Sequence, residues 1–129
     1  MMMNHGFTVM TRAIDACMAV VELRGEMDVY SAPRAKDVMA GLLAQGICLL
    51  IIDLRQLEYI DSTGLGMLIG MLRRVREQGG GIRLVAPHHR VRRLLEITRL
   101  TYSFTIEHSE QEAITSLHEE HPVLRQRAA

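Results

Sequence analysis

Gly46-Ile47-Cys48-Leu49-Leu50-Ile51-Ile52-Asp53 is the stretch on which the fold turns. An unbroken apolar run between a glycine and an aspartate is too short for an ordinary helix. It also lacks the alternation of a strand with one wet face. The run therefore predicts a strand buried on both faces, and such a strand belongs in the middle of a parallel sheet covered by helices.

On the N-terminal side, Gly46 closes a helix over Ala32 to Ala44, with Ser31 as its cap and Pro33 in its first turn. Ala35, Val38, Met39, Leu42 and Leu43 fall at helical spacing and give it one apolar face. Before it, Phe7 to Ile14 and Cys17 to Arg24 are β-prone runs joined by Asp15-Ala16, which reads as a hairpin. On the C-terminal side, Leu54 to Ile60 reads as a connection. A second helix starts near Ser62, with Leu65, Leu68, Ile69, Leu72 and Val75 in period, and ends at Gly79-Gly80-Gly81. Ile82 to Ala86 is a short strand, and Pro87 starts a third helix with Val91, Leu94, Leu95 and Thr98 on one face. Ser103 to Ile106 is a last strand. Ser109 caps a final helix that turns Ala113, Ile114 and Leu117 inward. These elements predict an α/β domain with a mixed, mostly parallel sheet of about five strands and about four helices. The domain is expected to span residues 1–118, followed by a polar, flexible tail over 119–129, where no period is visible.

Composition bounds the function. In 129 residues, 48% hydrophobic and 23% charged, disorder is excluded, and there is room for one core. Fifteen Lys+Arg balance fifteen Asp+Glu, so no net field steers the chain to nucleic acid or to an anionic membrane. Arg73, Arg74, Arg76, Arg83, Arg90, Arg92, Arg93 and Arg99 crowd the later chain without interleaved aromatics, which reads as solvated helix faces that leave room for an acidic protein partner. Cys17 and Cys48 lie in apolar runs with no C-x-x-C pairing and no histidine at ligand spacing, so they read as buried free thiols in a reducing cytoplasm. Met1 to Phe7 show no basic region followed by an apolar one, and no apolar run reaches membrane-spanning length, so export and membrane insertion are not expected.

Gly64-Leu65-Gly66-Met67-Leu68-Ile69-Gly70 comes close to a dinucleotide fingerprint but fails on context. The preceding strand is expected to end near Leu54, well before Gly64, and the next strand ends in Val85-Ala86-Pro87 without an acid for a ribose. A phosphate loop, a nucleophile elbow and a Ser-His-Asp order are all missing, so neither a cofactor nor catalysis is expected. His88-His89 are adjacent and project in different directions, a poor start for a metal site.

Tyr59-Ile60-Asp61-Ser62-Thr63-Gly64-Leu65-Gly66 stands apart, because at minimum Asp61 or Ser62 is a helix cap. It is accompanied by Leu23-Arg24-Gly25-Glu26-Met27-Asp28 after the second strand, by Ile52-Asp53-Leu54, and by Gly79-Gly80 before Ile82-Arg83-Leu84-Val85. In this order, from about Val20 to Leu117, the chain resembles the STAS domain family, and within it the stand-alone bacterial anti-sigma factor antagonists. The resemblance implies that Ser62 matches the serine phosphorylated by a partner kinase that is itself the anti-sigma factor, with Asp28 and Asp61 as flanking acids. It implies that the unphosphorylated form binds that serine/threonine kinase and frees the sigma factor, that phosphorylation ends the binding, and that a metal-dependent serine phosphatase restores it. Thr63 stands where many relatives have a second serine.

The expected partner surface comprises Asp28, Asp61, Ser62, Thr63, Gly64, Met67 and Met71. Met67 and Met71 lie beside the Leu65-Leu68-Leu72 stripe, where they serve either as an adaptable apolar contact or as extra core. STAS domains also occur as accessory subunits of membrane lipid or anion transport systems. In that role there is no phosphorylation cycle, and Ser62 is no more than part of a helix start.

Overall fold

The structure, a computed structural model, describes residues 6–128. The leading methionines therefore lie outside the described residues. In chain order it contains β1 (Thr8–Ala13), β2 (Met18–Met27), α1 (Ala32–Ala44), β3 (Leu49–Ile60), α2 (Ser62–Glu77), β4 (Gly81–Val85), α3 (His89–Ile97), a 3-10 turn (Leu100–Tyr102), β5 (Thr105–Glu107), α4 (Glu110–Glu120) and α5 (Pro122–Ala128). The strands form one sheet in the order β1-β2-β3-β4-β5. Only the β1–β2 pair is antiparallel.

β3 is central, and its side chains explain why its sequence is continuously apolar. Leu50, Ile52 and Leu54 enter a core shared with α1, α2 and α3, whereas Leu49 and Ile51 enter a second core with Ala113 and Leu117 of α4. Cys48 belongs to the first core and Cys17 to the second, and both are buried free thiols. Burial raises the Cys48 thiol above its ordinary pKa, with the neighbouring Cys17 adding to the effect.

The β1–β2 hairpin lacks a favoured glycine turn and is closed by Asp15 instead. The Asp15 carboxylate accepts the Cys17 N–H at 2.8 Å, and the Met18 carbonyl accepts the N–H groups of Ile14 and Asp15.

Several expected boundaries need correction. Leu54 to Ile60 is not a connection but the second half of β3, paired in parallel with β2 as far as Met27↔Ile60. Register shifts between Glu22 and Arg24 and between Gly25 and Glu26 each insert one extra residue into β3. Each bulge lengthens the local repeat, so Leu54, Leu57 and Ile60 all face the same core at a spacing that hides the strand.

β2 extends to Met27 for the same reason. Pro87 precedes α3, which His88 caps by accepting the Arg90 N–H on its ring nitrogen at 3.3 Å. Thr98 ends α3, its hydroxyl donating to the Leu94 carbonyl at 2.8 Å, so it is not part of the inward face. Residues 119–129, expected to lack a period, include the end of α4 and all of α5, giving five α-helices among the described residues where about four were expected. Leu124 packs partly against both cores.

Gly80 is required where β4 begins. A Cβ there would lie 1.9 Å from the Cys48 carbonyl oxygen, the same oxygen that accepts the Gly81 N–H at 3.1 Å.

Candidate functional site

β2 and β3 continue beyond β4 and end together. After the pair Met27↔Ile60, the Asp61 N–H donates to the Met27 carbonyl at 3.1 Å, so the β2–α1 turn lies beside the start of α2. Neighbouring strands are roughly 4.8 Å apart, which brings Asp28 and Asp61 to one patch at the carboxyl edge of the sheet. Open α/β sheets place their sites at that edge.

Asp61 is the N-cap of α2. Its backbone is extended, its carboxylate accepts the Gly64 N–H at 3.0 Å, and its carbonyl accepts the Leu65 N–H. Ser62 is the first helical residue and is exposed, as is Thr63. Among the described residues nothing hydrogen-bonds the Ser62 hydroxyl or the first two N–H groups of the helix, which leaves these donors pointing out of its positive end.

Gly64 is buried, and a Cβ on it would come within 2.6 Å of Ile60 Cγ1 and 3.2 Å of Met27 Cε. The missing side chain lets the helix start press onto the ends of β2 and β3. In that position Ser62 faces outward.

Asp28 has a structural role as well as a charge. Its Oδ1 accepts the N–H groups of Tyr30 at 2.9 Å and Ser31 at 3.0 Å, and its carbonyl accepts the Ala32 N–H. Ser31 does not cap α1 through its side chain as expected. Its hydroxyl accepts the Asp28 N–H at 2.9 Å and donates to the Glu26 carbonyl at 3.0 Å. Together the two side chains lock the turn and hold Val29 and Tyr30 outward, 54% and 80% exposed. Tyr59, near the end of β3, is 49% exposed.

Sequence reasoning missed these three residues. The available signal was a pair of large apolar side chains in a turn where no helical or strand period buries them. Exposed aromatic residues of this kind are common at the energetic centres of protein interfaces.

Of the remaining candidates, Met67 and Met71 are core residues, 9% and 1% exposed. Between the two alternatives read from sequence, the structure places them in the core, with one addition. They also line an open groove between α1 and α2 that begins at Thr63. The structure thus brings Asp28, Asp61, Ser62, Thr63 and Gly64 together at one edge and sets Met67 and Met71 one and two turns further along α2.

The main buried charge lies elsewhere, on β3. Burial raises the pKa of Asp53, but the hydrogen bonds from Arg55, at 2.6–3.1 Å, outweigh it and leave the carboxyl below its usual range. Arg83 of β4 donates to Glu120, the last residue of α4, at 3.1 Å and lowers its carboxyl as well. Among the described residues there is no group of three or more His, Cys, Asp or Glu that could hold a metal ion. An exposed serine hydroxyl at the positive end of a helix, on a scaffold that need not open, can accept a phosphoryl group.

The STAS domain model matches residues 8–113. The anti-sigma-B factor antagonist of Bacillus subtilis (strain 168) is 42% identical over 80 residues, covering 62% of this chain and 72% of that protein. In fold, the chain is similar to an anti-sigma factor antagonist from Mycobacterium paratuberculosis, with TM-score 0.80 and 24% identity over 92% of this chain and 99% of the other. It is also similar to the anti-sigma factor antagonist SpoIIAA in its unphosphorylated form, with TM-score 0.76 and 20% identity over 87% and 97% of the two chains.

Proposed function

The chain belongs to the STAS domain family, and from that membership we propose that it is an anti-sigma factor antagonist working by partner switching. Unphosphorylated, it binds an anti-sigma factor serine/threonine kinase, and the sigma factor is released. Phosphorylation of Ser62 ends the binding, and a metal-dependent serine phosphatase restores it. The protein acts as a binding module, not as an enzyme. We place it in the cytoplasm, with no nucleic-acid partner and no direct membrane insertion. The working domain runs from β1 through α4, with α5 held against it through Leu124.

One observation carries this reading: an exposed, unengaged Ser62 hydroxyl at the first position of α2, fixed between the Asp61 cap and the buried Gly64. In the transfer, Ser62 Oγ forms a bond to the γ-phosphorus of kinase-bound ATP, the bond from that phosphorus to the ADP oxygen breaks, and the hydroxyl proton leaves to the kinase. The product carries about −1.5 to −2 charges next to Asp61 and beside the turn that holds Asp28. A kinase surface fitted to a neutral hydroxyl and to the apolar Val29, Tyr30 and Tyr59 then meets concentrated negative charge and added bulk.

The test uses the purified chain, the anti-sigma factor kinase encoded in the same genome, ATP and magnesium. Mass spectrometry is expected to place a single phosphate on Ser62, Ser62→Ala is expected to take up none, and the phosphorylated chain is expected to lose kinase binding. Phosphate on Thr63 alone would overturn the site. Equal kinase binding by both forms would overturn the switch and leave the transporter-subunit role, which asks only for a constant docking surface.

A further inference from the structure

α1 and α2 lie side by side, but their solvent edges do not close over the core. The groove between them has a volume of about 640 Å³. Met67 and Met71 line it from the core side, and Ala32, Pro33, Gly66 and Gly70 leave it open. Nothing inside the protein requires Gly66 or Gly70 of α2. Neither has a positive φ, and a Cβ on either would meet no atom within 4 Å. Glycine is the poorest helix former after proline, so two of them one turn apart on a helix face weaken α2 without any gain in packing.

The rim is charged in one direction. Lys36, Arg73 and Arg74 border the groove against a single acid, Asp37, and among the described residues none of the four forms an ion pair. Arg12, Arg24, Arg55, Arg83 and Arg92, by contrast, all have carboxylate partners. An apolar floor that is methionine-rich and adaptable, small walls and unpaired cations on the rim are complementary to an amphipathic segment carrying carboxylates.

We propose that the groove between α1 and α2 receives an acidic amphipathic helix of the partner kinase, with its apolar side chains over Met67 and Met71 and its carboxylates against Lys36, Arg73 and Arg74. This rests on the kinase-binding reading above and deepens it. Thr63 lines the groove and is adjacent to Ser62, so a helix seated there approaches the phosphorylated turn. Gly66 and Gly70 allow the partner's backbone to come close. The groove then supplies affinity that phosphate at Ser62 does not directly touch.

The experiment measures the affinity of the full chain for the purified anti-sigma factor kinase by calorimetry over a range of salt. Gly70→Met fills the groove at a position where the added side chain meets open space. It is expected to weaken binding by about tenfold or more, the range found when the centre of an interface loses its packing. Arg73→Glu combined with Arg74→Glu is expected to weaken it by roughly tenfold at low salt, with much of the loss recovered as salt rises. Arg125→Glu, on α5, serves as a charge control and is expected to bind as the native chain does. Circular dichroism and thermal midpoints establish that every variant is folded.

If both groove variants bind as tightly as the native chain while Ser62 phosphorylation still abolishes binding, the groove inference is overturned and the switch stands. If the native chain does not bind the kinase at all, both are overturned together.

Discussion

Replacing Asp61 separates the two roles assigned to it, helix cap and acid beside the serine proposed to be phosphorylated. In the structure its carboxylate accepts the Gly64 N–H at 3.0 Å and lies at the positive end of a sixteen-residue helix. Loss of an N-cap of this kind costs about 1 kcal/mol, and loss of a negative charge at a helix N-terminus roughly 0.3–1 kcal/mol more. Asp61→Ala removes both and is expected to destabilise the domain by about 1.5 kcal/mol. Asp61→Asn keeps an acceptor oxygen for the Gly64 N–H and is expected to cost only the charge, about 0.5 kcal/mol.

In urea, with a slope of about 1.5 kcal/mol per molar for a domain of this size, the midpoint should fall by about 1 M for the alanine variant and by about 0.3 M for the asparagine variant. Circular dichroism at 222 nm and an independent fluorescence probe should give coincident transitions. The same proteins are then assayed for Ser62 phosphorylation. Asp61→Asn should be phosphorylated more readily than Asp61→Ala if the cap orients the hydroxyl. Equal midpoints for Asp61→Ala and the native chain would refute the capping argument, and with it the account of how Ser62 is held.

Three further outcomes follow from the same geometry. Gly80→Ala drives a methyl group into the Cys48 carbonyl, a backbone atom that cannot rotate away, so it should cost upwards of about 2 kcal/mol, against a gain of tenths if the position were open. Native-like stability would disprove that contact. Asp53 and Glu120 both have lowered folded-state pKa values, so the stability they contribute is complete above the ordinary carboxylate range and is lost as pH falls through their folded values. Urea midpoints should fall as pH drops below about 4, and Asp53→Asn should flatten that acid limb; an unchanged slope would remove Asp53 from the account. Ser62→Asp should weaken kinase binding less than phosphate does, because it brings one charge and less bulk, and part of its loss should be recovered in salt. A loss that salt leaves untouched would point to shape and not to charge.

What the sequence determined by itself is what local pattern encodes. Ile47 to Ile52 marked the central strand because a strand covered on both faces needs no polar residue. Ala32 to Ala44 and the start of α2 at Ser62 were legible because helical period, a proline or an aspartate at the start and a closing glycine are all signals carried within the segment itself. The D-S-T-G-L-G segment, together with Gly25-Glu26-Met27-Asp28, placed the chain in its family before any packing was known.

Tertiary structure decided what depends on partners distant in sequence. The two bulges that make Leu54 to Ile60 a strand exist only in register with β2, and they erase the period by which a strand is recognised. Asp28 is engaged by Tyr30 and Ser31 through a turn that no spacing rule announced. Met67 and Met71 became core because α1 crosses beside them, and that crossing also left the groove open. Periodicity records whether a side chain is buried, but not which element buries it. The ends of β2 and β3, where Ser62 is presented, are set by pairing between segments more than thirty residues apart, through contacts such as Asp61 N–H to the Met27 carbonyl.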